Sequence, residues 1–180
     1  MNQRSAGIQS DDLEVFLSLL EHFSQWTCDG QILNQRVEEV SGWSVGEHLD
    51  HVLMADLLTM KAVRMLEMGR GKETSDGLNE AGTMVFSSGE IPLGKATAPD
   101  FVIPRPDRTA EQIDELRLEV LDGWKQVAAR LDEIDSAGRV LSHHAVGDLG
   151  AWQWLRFTRI HTQHHQMIAR RIIEAIEEPT

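Results

Sequence analysis

The stretch "IHTQHHQMIARR", residues 160–171, places His161, His164 and His165 within five positions of a 180-residue chain that has eight histidines. Imidazole is a metal ligand, a proton carrier near neutral pH and a hydrogen-bonding core group, so the question is which of these the cluster serves. On a helix, with His161 as origin, His165 falls about 40° away, Trp154 about 20°, Phe157 about −40°, and Ile168 and Ile172 about −20° and 20°. His161 and His165 therefore share the apolar arc that faces a core. His164, at about −60°, sits on its shoulder beside Gln153 and Arg171. Two imidazoles at i, i+4 can converge on one point. The pair by itself reads first as packed or solvent-facing side chains. A third ligand from another helix would decide, and His22, His48, His51, His143 and His144 are the candidates.

"WSVGEHLDHVLMAD", from Trp43, reads as the start of a second helix. Ser44 and Glu47 form an S-x-x-E capping box, and Trp43 with His48 stands at the staple positions around it. Glu47 and His48 thus have structural roles, with a supporting part for Glu47 at a site as the minor alternative. His51 has no such local employment; facing inward, it is either a hydrogen-bonded core residue, the first reading on its own, or a ligand. It lies with Ala55, Leu58 and Ala62 on an apolar flank, whereas Asp50, Lys61 and Arg64 read as the wet side. Asp56 falls on the apolar arc near Val45, Leu49 and Met60, and a buried acid there needs a partner. It either holds a ligand's second nitrogen or, as the more economical reading, pairs with Arg156 or another base.

Four long helical segments must position these residues. The first opens at Ser10, carries Leu13, Phe16, Leu17, Leu20 and Phe23 at helical spacing, and stops near Gly30. The second runs from Ser44 to about Met68. The third begins at Thr109, with Gln112 in capping-box position, and its apolar positions continue through Leu131 and Ile134 to a stop at Gly138. The fourth begins near Asp148 or Gly150 and runs to about Glu177. Between the second and third lie residues 69–108, with four of the five prolines. They read as extended or irregular, with a short strand at "FVI" as an option. A connection this long is often functional, and it could cover a pocket. The fold expected is all-α: one four-helix-bundle domain over residues 1–180, with a long irregular crossover between helices two and three.

A net charge of −12 repels phosphate backbones and anionic lipid, which argues against nucleic-acid and membrane partners. The single cysteine, Cys28, excludes an internal disulfide and reads as a small buried or half-buried apolar residue. With no apolar run of signal or membrane-span length, a soluble cytoplasmic protein is expected. A wide apolar arc on the second helix suggests a homodimer.

The motifs now admit a comparison. "WSVGEHLDHV" resembles the start of the second helix in DinB-like proteins, where a metal-binding histidine follows the Trp by eight residues, here His51. "HTQHHQMI" resembles their last-helix motif H-x-x-H-H, whose first and fifth positions, here His161 and His165, bind metal. The glutamine of that motif is shifted here, so its usual role does not transfer to Gln166. The resemblance covers all four helices in order. It implies a His51–His161–His165 site for a divalent ion (Zn, Ni, Fe or Mn), with Asp56, Glu47 and His164 as supporting candidates. It also implies an enzyme acting on a small molecule: a transferase or isomerase that uses a low-molecular-weight thiol, or a metal-dependent hydrolase. Cys28 has no activating neighbour in sequence, so any attacking thiol comes from a cosubstrate. His143 and His144 could line the mouth of such a site, although loop or capping roles suit them better. The alternative is a noncatalytic or stress-associated bundle whose metal is structural.

Overall fold

The computed structural model describes residues 3–94 and 98–177. Four long helices dominate: α1 (Gln3–Thr27), α3 (Val45–Glu67), α5 (Ala110–Ala128) and α7 (Ala151–Glu177). Shorter helices α2 (Gly30–Leu33), α4 (Glu80–Ser88) and α6 (Leu131–Ser136) fill the connections, and β1 (Leu141–His143) pairs antiparallel with β2 (Gly147–Leu149). α3 packs on α7 and α5, and α1 closes the ring against the same two helices. The architecture is the expected all-α bundle. No helix of the described residues is long and apolar enough to cross a membrane.

Local chemistry sets the ends of these helices. Ser44 caps α3 by accepting from the Glu47 N–H at 3.2 Å, while the Glu47 carboxylate accepts from the Ser44 N–H at 2.7 Å. Thr109 and Gln112 cap α5 in the same reciprocal way. Gly138 ends the third segment in the left-handed region at φ 66°. The core that joins the helices is aromatic and aliphatic, with Trp124 fully buried and edge-on to Phe16 at 5.6 Å.

Several expectations are corrected. α1 already runs from Gln3, so Ser10 lies inside it and not at its cap. Gly30 does not end α1 in the left-handed region. It opens α2 under an Asp29 side chain that accepts from the Gln31 N–H. The third segment breaks at Ala129–Arg130 into α5 and α6, while its apolar period continues across the break. Cys28 is exposed.

The crossover is more ordered than its composition suggests. Asn79 caps α4, Gly89 ends it at φ 72°, and "FVI" forms part of a 3-10 turn (Asp100–Val102) instead of a strand. Residues 95–97 of the crossover lie outside the described residues. α4 docks on the β1–β2 hairpin at Gly82, where a Cβ would stand 2.1 Å from the Val146 carbonyl oxygen. Only glycine permits that approach. The hairpin itself was not legible in "HHAVGDL".

Candidate metal centre

The three histidines meet. His51 on α3 and His161 and His165 on α7 each offer one ring nitrogen, all within 4.8 Å of one another. Their ring centroids lie 4.6 Å (His51–His165), 4.7 Å (His161–His165) and 5.3 Å (His51–His161) apart. His51 and His165 are buried, and His161 is partly open. His161 stacks nearly parallel on Phe157 at 5.9 Å, and Trp43 walls the site 4.9 Å from His51.

Hydrogen bonds fix which nitrogen faces inward. His51 Nδ1 lies 2.7 Å from the Val102 carbonyl oxygen. A carbonyl only accepts, so Nδ1 carries the proton and Nε2 keeps its lone pair. That lone pair faces His161 Nε2 at 3.4 Å. His165 Nδ1 lies 2.9 Å from His48 Nδ1, and His48 Nε2 lies 2.9 Å from Ser41 Oγ. The Trp43 N–H also donates to that hydroxyl. If His165 Nδ1–H donates to His48, then His48 Nε2–H donates to Ser41, and His165 Nε2 is free to bind. The Ser41–His48–His165 chain is thus compatible with ligation.

The electrostatics agree. Burial is the first cause that holds His161 and His165 well below the usual imidazole range, and the neighbouring histidines add to it. Burial also lowers His51, opposed in part by the Val102 carbonyl and Asp50. Burial takes His48 down to about 4. Three imidazoles that each bring a ring nitrogen to one point, with no carboxylate among them, form a donor set that fits a divalent transition ion. Outer hydrogen-bond partners of metal histidines typically carry about 10–100-fold in affinity. His48→Phe is therefore expected to weaken Zn²⁺ binding by about that factor in a competition titration while the helical fold persists. An unchanged affinity would remove His48 from the site.

The remaining candidates separate. Glu47 is a cap and pairs with Arg36 at 2.7 Å. His164 lines the cavity described below. His22 is on the surface, 3.2 Å from Arg170. His143, in β1, and His144 line the cavity, the role given less weight from sequence.

Asp56 neither holds a ligand histidine nor pairs with Arg156. Arg156 donates to the Phe86 carbonyl instead and lies 4.0 Å from Asp12. Asp56 is fully buried, and both its oxygens lie 3.1 Å from Thr162 Oγ1, which is also 2.9 Å from the Thr158 carbonyl. One hydroxyl hydrogen cannot serve all three. A protonated Asp56 that donates to Thr162 leaves the Thr162 hydrogen for the Thr158 carbonyl. Burial raises the Asp56 pKa well above the carboxylate range, which agrees. Its proton is kept on folding, so its stabilising contribution is complete below the unfolded value of about 3.9 and is lost as pH rises through the folded value. Asp56→Asn is therefore expected to gain on the wild type in urea unfolding as pH rises above about 4. A constant difference between pH 4 and 9 would show that Asp56 is ionised.

Asp50, read from sequence as wet, is fully buried. It accepts from the Arg105 N–H at 2.7 Å and forms a close ion pair with Arg108 Nε at 2.6 Å. Its partners lie in the crossover, so Asp50 anchors the segment whose Val102 carbonyl holds the neighbouring His51. Sequence gave no sign of this coupling or of the contact between His48 and His165. Both join residues far apart in the chain.

A cavity of about 890 Å³ opens onto the triad. α4 and the crossover roof it with Met84, Val85, Phe101 and Val102, and α3 and α7 form its floor. The long connection does cover a pocket.

Comparison with known proteins places these features. Neither curated proteins nor solved structures yield a match. The family description "DinB superfamily" matches residues 14–169, which include the triad, Ser41, His48, Val102 and most of all four long helices. That span is most of the chain, and the frame and histidine motifs within it are those the sequence resemblance implied. This chain belongs to the DinB superfamily.

Proposed function

We propose that the chain is a divalent-metal-dependent enzyme in which His51, His161 and His165 hold the ion and a small molecule binds in the adjoining cavity. The observation that carries this reading is the convergence of three imidazole nitrogens within 4.8 Å at the edge of a large cavity. Three protein ligands leave a coordination position free, as at catalytic centres and unlike closed structural ones. A Zn²⁺, Ni²⁺, Fe²⁺ or Mn²⁺ ion there supplies a bound water or cosubstrate thiol with a lowered pKa and polarises a carbonyl.

The chain's own side chains do the rest. The Val102 carbonyl and His48 orient two ligand rings. Trp43, Phe157 and the crossover shield the centre from bulk water. None of the described wall residues is a carboxylate, so His143, His144 and His164 are the polar wall side chains nearest to hand beside the three proposed ligands. Exposed Cys28 is not among the wall residues, so an attacking thiol is supplied by a cosubstrate. The products are those of thiol transfer or hydrolysis.

Chelation separates this from a structural metal. A structural ion is folding free energy, and its removal unfolds the domain. Here the aliphatic and aromatic core is complete without an ion. Stripping the metal with a chelator is expected to leave the helical circular dichroism at 25 °C unchanged, while activity towards a thiol or hydrolysable substrate disappears and returns with added metal. Cooperative unfolding on chelation would favour the noncatalytic reading.

A further inference from the structure

The walls of the cavity restrict what it can hold. Charged residues make up 26% of the chain, yet no Asp, Glu, Lys or Arg is among the described residues that line it. The surface away from the histidines is apolar, with Leu58, Met84, Val85, Ile91, Phe101 and Phe157 as its larger side chains. The polar side chains are the imidazoles, the indoles of Trp43 and Trp154, and two hydroxyls, Thr59 and Ser142. A volume of about 890 Å³ lies at the upper end of small-molecule sites, which span about 300–1,000 Å³.

We infer that this cavity takes an uncharged, predominantly apolar small molecule with one polar end, the end that reaches the histidine triad. An ionised group placed elsewhere in the cavity would lose hydration with no described counter-charge to replace it. The net charge of −12 further opposes the approach of anions. Each methylene buried against such walls strengthens binding about fourfold. Only the polar end of the ligand depends on the metal reading. The apolar preference stands on the cavity walls.

The test uses a homologous set of hydroxamates, acetyl to octanoyl, titrated into the Co²⁺-loaded protein and followed by the visible absorption of the ion. A carboxylate-ended analogue of the octanoyl compound is included. Octanohydroxamate is expected to bind at least about 100-fold more tightly than acetohydroxamate, given about fourfold per buried methylene. The carboxylate-ended analogue should lose most of that gain. Leu58→Glu, at a wall position that is 39% exposed, should reduce the gain without altering the Co²⁺ spectrum before ligand is added. Equal affinities along the series, or an equally tight carboxylate-ended ligand, would overturn the inference. If Co²⁺ gives no spectrum of a bound site, the metal reading fails on its own. The uncharged dye N-phenyl-1-naphthylamine then decides on the metal-free protein: micromolar binding weakened by Leu58→Glu supports the apolar site, and no binding overturns it.

Discussion

His51→Ala is expected to abolish stoichiometric metal binding. The substitution removes the only ligand contributed by α3 and leaves two imidazoles on α7. Loss of an outer hydrogen-bond partner costs about 10–100-fold in affinity, so loss of a ligand should exceed about 100-fold. His51 is also a buried group bonded to Val102, so the variant will lose some stability, and low occupancy in a misfolded sample would be uninformative. His161→Ala removes that difficulty, because His161 is partly open and its loss disturbs the core less. Both variants should emerge from chelator-free purification with little metal by elemental analysis and with native helical content. His22→Ala, on the surface, should retain the ion. Full occupancy in folded His51→Ala and His161→Ala would rule out the triad.

Asp50→Ala is expected to produce the largest loss of stability of any polar substitution discussed here. Removing one partner of a buried pair leaves the other charge uncompensated and typically costs about 3–5 kcal/mol. Arg108 keeps slight solvent access, 16% of its side chain, which favours the lower end. For a domain of this size, that corresponds to a melting temperature roughly 6–15 °C lower. The second consequence is at the metal. Freed from Asp50, the Arg105–Arg108 stretch no longer anchors the crossover, and the Val102 carbonyl no longer holds His51 Nδ1. Metal affinity should therefore fall as well, although Asp50 is no ligand. Asp50→Asn retains an acceptor for the Arg105 N–H and should fall between wild type and alanine. A melting temperature for Asp50→Ala within about 2 °C of wild type, measured metal-free by differential scanning calorimetry, would contradict the anchoring role.

The features that could be read from sequence are those whose causes are local. The Ser44–Glu47 and Thr109–Gln112 boxes satisfy backbone donors within four residues, and both helix starts fall where they were expected. His161 and His165 sit one turn apart on an apolar arc, so their convergence follows from helical pitch. The match with a known motif then selected His51. What escaped the sequence depends on distant partners. The burial of Asp50 is set by Arg105 and Arg108, more than 50 residues downstream. His48 has a local staple contact with Trp43, which concealed its second task at His165. Helix α4 is two turns of "EAGTMVFSS", with weak helix formers, and it is held by its Asn79 cap and by docking at Gly82. That docking places α4 and the crossover over α3 and α7, where they roof the cavity.

Metal K-edge X-ray absorption on the untagged, natively purified protein tests the centre most directly. Three imidazole nitrogens near 2.0–2.1 Å for a zinc-loaded site, plus at least one lighter exchangeable ligand, are the expected first shell. A metal-free protein, or an ion surrounded only by oxygen, would contradict the His51–His161–His165 assignment.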